Sequence, residues 1–249
     1  MRRSLALLSL GAALHITAPG LVVAPVSAQP REGATSTALR ASPDEASRAF
    51  IGVWALTDNN NNLFNVRIQP DGKAVSTVGT AGVPNAGSAR LRNSQFRELG
   101  RWSAWGNGIR VDYSDGWSDW IYVGPSGLSH AAWRPGQVRS EIPANFGTAV
   151  KLGGAAAEAV GIYLFPPAQS DLKPYTAALL SNGLAFNDID AQAGGVWHME
   201  GTDVVINWIS GWRTNLSLAP ATRLQLRHWA PGRDRSMEPT AVRKATAVD

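Results

Sequence analysis

The sequence predicts an all-β protein made of two tandem copies of one antiparallel β unit. Three observations carry this prediction: apolar and polar residues alternate over short runs, turn residues separate these runs, and landmarks recur in the same order. The 249 residues include 25 glycines, 15 prolines and 10 tryptophans but no cysteine. Turns are therefore expected to be frequent, and disulfides, thiolate metal sites and cysteine nucleophiles are excluded.

The N-terminal residues are typical of a cleaved secretory signal peptide. Arg2 and Arg3 precede an apolar run from Leu5 to Leu14, and Val26-Ser27-Ala28 supplies the small residues that suit a cleavage site. We therefore expect residues 1–28 to be removed on export. The protein would then be periplasmic or secreted, with no stable membrane span after cleavage.

The charge pattern gives no sign of a nucleic-acid partner. Loss of the signal peptide would lower the formal charge from +4 to +2, because Arg2 and Arg3 are its charged residues. The remaining basic residues stand singly, apart from a group after residue 226 that is surrounded by proline, alanine and threonine. We interpret residues 233–249 as a solvated, disordered tail and expect no nucleic acid to bind.

Two parts of the chain carry the same landmarks in the same order, which indicates a duplication. The later pairs share an offset of 95 or 96 residues, and eight of the ten tryptophans fall on these landmarks. The pairs are Gly52-Val53-Trp54 with Gly161-Ile162-Tyr163, Asp71-Gly72 with Asn182-Gly183, Gly100-Arg101-Trp102 with Gly195-Val196-Trp197, Ile109 to Tyr113 with Val204 to Trp208, Asp115-Gly116-Trp117 with Ser210-Gly211-Trp212, and Trp133 to Gly136 with Trp229 to Gly232.

Within each copy the hydrophobic period is two, which is typical of half-buried antiparallel strands. Ile109, Val111 and Tyr113 alternate with polar residues, and the dipeptide Asn107-Gly108 suits a tight hairpin. We expect about six short strands in each copy. Three stretches have short helices as the alternative: Ser42 to Phe50, Gly154 to Val160, and Lys173 to Leu180.

These patterns predict the organisation of the chain after the signal peptide. Residues 29–47 form a linker, residues 48–136 the first repeat, residues 137–159 a connector, and residues 160–232 the second repeat. Because the connector carries apolar residues, we expect the two repeats to dock together as meanders or small barrels. The stretch from Thr80 to Gln95 is present in the first copy alone and is expected to be a long loop.

Tryptophan must supply much of the core of units that lack disulfides, since one buried aromatic ring contributes roughly 150 to 250 Å² of area. The eight tryptophans at shared landmarks are therefore expected to be mainly structural. Trp105 and Trp120 have no aromatic counterparts in the second copy. They are candidates for a ligand-binding surface, with packing on a solvent-facing strand as the alternative.

The opening Gly52-Val53-Trp54 on a first strand, followed by a meander of short strands, resembles the calycin barrels of the lipocalin and avidin group. In that group the tryptophan closes one end of a barrel, and the cavity holds a small apolar or amphipathic ligand. The resemblance therefore implies a binding protein without catalytic chemistry. It covers three residues per copy, and Tyr163 stands in place of the tryptophan in the second copy.

Three carboxylates, Asp112, Asp115 and Asp119, lie within eight residues of one another. Their spacing does not match an EF-hand loop, and the second copy has no carboxylate at the equivalent positions. We interpret the group as a solvated hairpin with Asp115 in its turn. A calcium loop and the acid–base pair of a glycoside hydrolase are the alternatives.

Two histidines lie on the final predicted strand of their copies. His130 aligns with Leu226 and His228 with Ala132, so both imidazoles are expected on the apolar face of the strand. A polar ring on such a face needs a hydrogen-bond partner or a ligand. The candidate ligand-binding residues are therefore Trp105, Asp119, Trp120, His130 and His228.

No motif indicates a cofactor, a metal site or a catalytic residue: glycine-rich phosphate loops, G-x-S-x-G and H-E-x-x-H are absent. The sequence favours an exported, non-catalytic protein that binds a small molecule, saccharide or peptide through an aromatic-lined cavity or surface. A structural protein of the cell envelope and a hydrolase that uses the acidic group are the alternatives. An outer-membrane barrel is disfavoured, because its strands need about 9 to 11 residues.

Overall fold

Two antiparallel β-barrels follow one another in the computed structural model of the chain, which describes residues 43–78, 83–84, 96–169, 172–189 and 194–248. A short helix precedes each barrel, α1 (Pro43–Arg48) before the first and α2 (Gly154–Ala159) before the second. The prediction of an all-β protein with two duplicated, docked units is confirmed.

The first barrel is closed. Its strands are β1 (Gly52–Asp58), β2 (Asn62–Ile68), β3 (Lys73–Ser76), β4 (Val83–Pro84), β5 (Glu98–Trp105), β6 (Gly108–Tyr113), β7 (Ser118–Gly124), β8 (Gly127–Trp133) and β9 (Asn145–Lys151). Strands that follow one another pair in a meander, and β9 pairs with both β8 and β1 to complete the ring. The short β4 pairs with the beginning of β2 and not with its neighbours in the sequence. β3 therefore pairs directly with β5.

The second barrel repeats this meander and is nearly closed. Its strands are β10 (Gly161–Phe165), β11 (Tyr175–Leu179), β12 (Leu184–Asn187), β13 (Gly194–Glu200), β14 (Asp203–Trp208), β15 (Arg213–Ser217), β16 (Gln225–Trp229), β17 (Ala241–Lys244) and β18 (Thr246–Ala247). β17 pairs with β16, and β18 pairs with β10. Because Ala245 alone separates β17 from β18, these two strands together occupy the place that β9 has in the first barrel.

The strand registers of the two barrels match residue for residue. Trp102 pairs with Val111 in the first barrel, and Trp197, which lies 95 residues later, pairs with Ile206 in the second. Each barrel has eight strand positions among the described residues, and not the six expected. The additional strands lie where the sequence predicts a connector, at β9, and a disordered tail, at β17 and β18. Residues 233–249 thus include the strands that complete the second barrel.

Alternating burial explains why these segments form strands. Ile109, Val111 and Tyr113 of β6 are buried, whereas the polar residues between them are partly exposed. β14 buries the equivalent residues Val204, Ile206 and Trp208, and it also buries Val205 between them. The eight tryptophans at shared landmarks are buried or pack half-buried against the two cores, which supports their structural role: Trp54, Trp102, Trp117, Trp133, Trp197, Trp208, Trp212 and Trp229.

One turn shows why equivalent glycines recur. Gly116 has a φ of 91° and Gly211 a φ of 86°, a left-handed conformation that favours glycine. A Cβ atom on Gly116 would lie 3.1 Å from a ring carbon of Pro135, and one on Gly211 would lie 3.2 Å from Pro231. The paired landmarks therefore occupy the same positions with the same neighbours.

An aromatic side chain on the first strand of each barrel donates a hydrogen bond back to the helix segment that precedes it. The indole N–H of Trp54 donates to the carbonyl oxygen of Phe50 at 2.7 Å. The hydroxyl of Tyr163 donates to the carbonyl oxygen of Ala159 at 2.8 Å. Trp54 and Tyr163 thus each donate a hydrogen bond to the carbonyl oxygen of the residue four positions earlier. Of the three stretches considered for helices, the third forms a strand, β11.

The two barrels pack against each other within one compact unit of residues 40–249. The amide of buried Asn65 donates to Oγ of Ser181 at 2.9 Å, and its Oδ1 accepts the backbone N–H of Ser181 at 3.1 Å. Arg67 donates to the carbonyl oxygen of Val160 at 3.0 Å. Three buried side chains of the second barrel join the hydrophobic cluster of the first, Ala178, Leu180 and Phe186, and the partly buried Leu184 packs against it.

The predicted signal peptide, most of the predicted linker and all of the loop from Thr80 to Gln95 except Val83–Pro84 lie outside the described residues. None of the helices in the described part of the chain has the length and apolar character needed to cross a membrane.

Candidate functional site

Trp105 and Trp120 lie together on the outer face of the first barrel. Their ring centroids are 5.0 Å apart in an edge-to-face arrangement, and the indole N–H of Trp120 donates to the carbonyl oxygen of Trp105 at 3.3 Å. Tyr122 stacks on Trp120 with centroids 3.8 Å apart, and the guanidinium carbon of Arg139 lies 5.7 Å from the ring centre of Trp105. The two predicted residues thus pack mainly on each other and on their neighbours.

Asp119 points into the first barrel, since it precedes Trp120 on β7 and successive residues of a strand face opposite sides. It is 1% exposed, and it accepts a hydrogen bond from the hydroxyl of Tyr113 at 2.9 Å. Burial raises the pKa of Asp119 to about 7; the hydrogen bond from Tyr113 opposes this rise, and the charge of Asp115 adds to it. This carboxyl group is held away from solvent.

His130 also lies inside the first barrel, where it takes the place of the core residue Leu226 in the second. It is fully buried, and its ring meets that of Phe64 edge-on at 5.7 Å. Neither ring nitrogen makes a well-formed hydrogen bond within the described residues. Burial lowers the pKa of His130 to about 4, and the nearby backbone of Thr57 and the charge of Asp58 offset only part of this effect. His130 is therefore a neutral core residue.

The acidic group does not form one site. Asp112 forms ion pairs with Arg110 at 2.8 Å and with Arg139 at 2.6 Å. Asp115 accepts the backbone N–H two residues later at 3.0 Å and stabilises the hairpin turn, whereas Asp119 faces the interior. Among the residues that the structure describes, no group of three histidine, aspartate or glutamate side chains is placed to hold a metal ion.

A cavity of about 610 Å³ opens at one end of the second barrel. The loop after β10 forms one wall, and the ends of β12, β14 and β16 contribute the others. The lining residues are Pro167, Ala168, Leu172, Lys173, Pro174, Tyr175, Asn187, Asp188, Ile189, Trp208, Ser210, Trp212, Thr214 and His228. Of the five residues predicted from the sequence, His228 lies here, while the other four are on or inside the first barrel.

A chain of buried polar groups ends at this cavity. The indole N–H of Trp208 donates to Oγ1 of Thr214 at 3.0 Å, and Oγ1 lies 3.1 Å from Nδ1 of His228. Nε2 of His228 has no hydrogen-bond partner among the described residues. Burial and, to a smaller extent, the positive charge of Arg243 lower the pKa of His228 to about 4. The imidazole is therefore neutral at physiological pH.

The connection after the first strand explains the opening. In the first barrel this turn is tight, because Asp58 accepts two backbone N–H groups of the turn, each at 2.8 Å. In the second barrel Pro166 and Pro167 follow β10 instead. Proline has no backbone N–H for a β-ladder and no side-chain acceptor. β10 and β11 therefore separate here, and the described residues of this connection that line the cavity are Pro167, Ala168, Leu172, Lys173 and Pro174.

Apolar side chains fill the same end of the first barrel. Val78 is fully buried, whereas its counterpart Ile189 is 66% exposed. Phe64, at the position of the cavity-lining Tyr175, is buried in the core. Two further side chains pack partly buried against that core, Phe96 and Trp117. The two copies therefore share a backbone plan but differ in whether this end is filled.

Sequence reasoning placed His228 on the inner face but missed Thr214 and Trp208 as its neighbours. A signal was present in the aligned copies: the second copy has Trp208, Thr214 and His228 where the first has Tyr113, Asp119 and Ala132. All three positions differ in hydrogen-bonding character, and all three lie on neighbouring strands.

Comparison with models of known families, with curated proteins and with solved structures finds no match to this chain. The resemblance to calycin barrels therefore stays a prediction, and the function must be argued from the site itself.

Proposed function

We propose that the protein is a non-catalytic binding protein and that the cavity of the second barrel holds a small amphipathic molecule. The observation that carries this proposal is a cavity of about 610 Å³ lined by His228, whose buried Nε2 has no hydrogen-bond partner among the described residues. Ligand cavities typically have volumes of about 300 to 1,000 Å³, with mainly apolar walls and a few polar groups.

The walls fit a molecule with one apolar and one polar part. The rings of Tyr175, Trp208 and Trp212 offer flat apolar contact area. His228 supplies a polar contact in the interior, and Lys173 and Asp188 lie at the rim. A ligand that buries its apolar part against the rings can therefore direct a polar atom towards His228.

Trp212 and its counterpart Trp117 form a matched pair for testing this proposal. We expect the dye 8-anilinonaphthalene-1-sulfonate to bind the wild-type protein and to bind Trp212→Ala about tenfold more weakly, because one aromatic contact is worth about 1 kcal/mol or more. Trp117→Ala removes the equivalent ring of the first barrel, which does not line the cavity. This variant is therefore expected to bind the dye like the wild type. Dye fluorescence measures both affinities, after circular dichroism has shown that both variants are folded.

Two results would contradict the proposal. One is the absence of saturable dye binding to the wild-type protein. The other is an equal loss of affinity in Trp212→Ala and Trp117→Ala, which would place the dye outside the cavity.

We also infer that the protein is exported before it binds its ligand. The arginine pair, the apolar run and the small residues that end at Ala28 support this inference. We expect the protein recovered from the periplasm or the medium to begin at Gln29, as measured by N-terminal sequencing. Recovery of a chain that retains residues 1–28 in the cytoplasm would count against export.

A further inference from the structure

We propose that the cavity selects molecules that carry a hydrogen-bond acceptor, because the surrounding side chains fix His228 as an Nε2–H donor. This inference rests on the proposed binding function and adds the chemical class of the ligand. The ligand is a small amphipathic molecule that presents a carbonyl or carboxylate oxygen to the imidazole.

The indole nitrogen of Trp208 can only donate a hydrogen bond. Its N–H group points at Oγ1 of Thr214, 3.0 Å away. The tryptophan therefore uses one acceptor site of the hydroxyl. It does not use the hydroxyl hydrogen of Thr214, which must find an acceptor of its own.

Nδ1 of His228, at 3.1 Å, is the one further hydrogen-bond partner of Oγ1 among the described residues. If Nδ1 carried the proton, both rings would donate to Oγ1, and the hydroxyl hydrogen would be buried without an acceptor. Thr214 is almost completely buried, so such a group would be costly. If the hydroxyl donates to Nδ1, the indole N–H, the hydroxyl and Nδ1 all have hydrogen-bond partners. The polar chain therefore runs from Trp208 through Thr214 to His228.

A neutral imidazole carries a single ring proton, and with Nδ1 acting as an acceptor this proton lies on Nε2. His228 is 2% exposed and lines the cavity, and its Nε2 has no partner among the described residues. The depressed pKa of His228, about 4, keeps the ring neutral. A buried, unpartnered N–H donor on a residue that lines the cavity favours a ligand that brings an oxygen acceptor to it.

Charge at the rim favours the same kind of ligand. Arg243 donates to the carbonyl oxygens of Pro167 and Ala168, each at 3.2 Å, and so holds its positive charge beside the cavity wall. Lys173 adds a second positive charge at the rim, while Asp188 contributes one negative charge. The balance is positive, which stabilises the negative end of a carbonyl dipole or a carboxylate.

The first barrel provides the internal contrast. Tyr113 and Asp119 hydrogen-bond to each other at the positions of Trp208 and Thr214. Ala132 occupies the position of His228 and has no side-chain group that could extend the series of hydrogen bonds. The donor thus belongs to the copy that has the cavity.

The tautomer can be measured without any ligand. In the full chain labelled with ¹⁵N-histidine, long-range ¹H–¹⁵N correlation at about pH 7 should show His228 with a protonated Nε2 and an unprotonated Nδ1. The full chain has four histidines, so the variants His15→Gln, His130→Leu and His198→Gln assign the signal of His228 by elimination. A protonated Nδ1 on His228 would overturn the inference. Thr214→Val should raise the population of the Nδ1-protonated form, and an unchanged tautomer in this variant would also count against it.

A matched pair of uncharged compounds tests the ligand class. We expect 2-acetylnaphthalene, which carries a carbonyl acceptor, to bind about three- to tenfold more tightly than 2-ethylnaphthalene in calorimetry, as one net hydrogen bond implies. His228→Leu should remove this difference. Equal affinities for the wild type would overturn the inference while leaving the binding function intact. Failure of both compounds to bind would instead contradict the proposed function, whatever the tautomer.

Discussion

A chain that ends at Thr240 is expected to lose the second barrel. The missing residues form β17 and β18, which pair with β16 and β10 and complete the ring. Ala241 and Ala245 are buried, so the truncation also opens the core. We expect a loss of more than about 5 kcal/mol, enough to unfold a typical domain. Far-UV circular dichroism measures the loss of β structure. Limited proteolysis is expected to show new cleavage within residues 161–229 and a resistant first barrel.

The control for this truncation is a full-length chain with Lys244→Gln. Lys244 lies on β17 with an exposed side chain, so its replacement is expected to leave the unfolding temperature unchanged. A truncated chain that unfolds at the wild-type temperature and resists protease throughout would show that the second barrel does not need its last strands.

Asp119→Asn is expected to stabilise the protein at neutral pH by up to about 4 kcal/mol. The pKa of this carboxyl is about 7 in the folded protein against a reference of 3.8. Between these values the unfolded chain releases the proton and the folded chain keeps it. Rising pH therefore favours unfolding by about 1.4 kcal/mol per pH unit. The free energy of unfolding of the wild type therefore falls as the pH rises from about 4 to 7, whereas the variant shows no such fall because asparagine cannot ionise. Its amide can still accept the hydrogen bond from Tyr113.

Chemical denaturation of both proteins across this pH range measures the difference. Comparison at each pH cancels the opposite effect of the buried histidines, which favour unfolding as the pH falls below about 6.5. Glu141→Gln replaces an exposed carboxylate and is expected to show no such trend relative to the wild type. A difference between Asp119→Asn and the wild type that stays constant from pH 4 to 7 would contradict the buried, protonated carboxyl.

The duplicated β architecture is predictable from the sequence because its signals are local. Gly116 and Gly211 form turns through their own backbone dihedrals, and the inner residues of β6 alternate over five positions. β9 escaped prediction because Ala149 is its one buried residue, while Phe146 and Val150 are exposed. This strand is defined by pairing with both β8 and β1, a long-range contact that leaves little mark on the local pattern.

The candidate site was predictable in one residue only. His228 follows from the period of two, because its strand register places it on the inner face. Its bond to Thr214 depends on which strands are neighbours and in what register. The cavity itself depends on the missing turn at Pro166 and Pro167. Neither relationship follows from the order of residues along a single strand.

Ring closure also sets the order in which each barrel can be completed. Hairpins between successive strands can form within about 1 to 10 μs. The pairing of Leu56 with Ala149 and of Tyr163 with Ala247, which closes each barrel, forms only after the last strand is present. In the nascent chain, β1 and β10 therefore keep one row of peptide groups unpaired until nearly a whole barrel has been synthesised. Unpaired rows of this kind recruit strands from other molecules. Aggregation competes with closure during this interval.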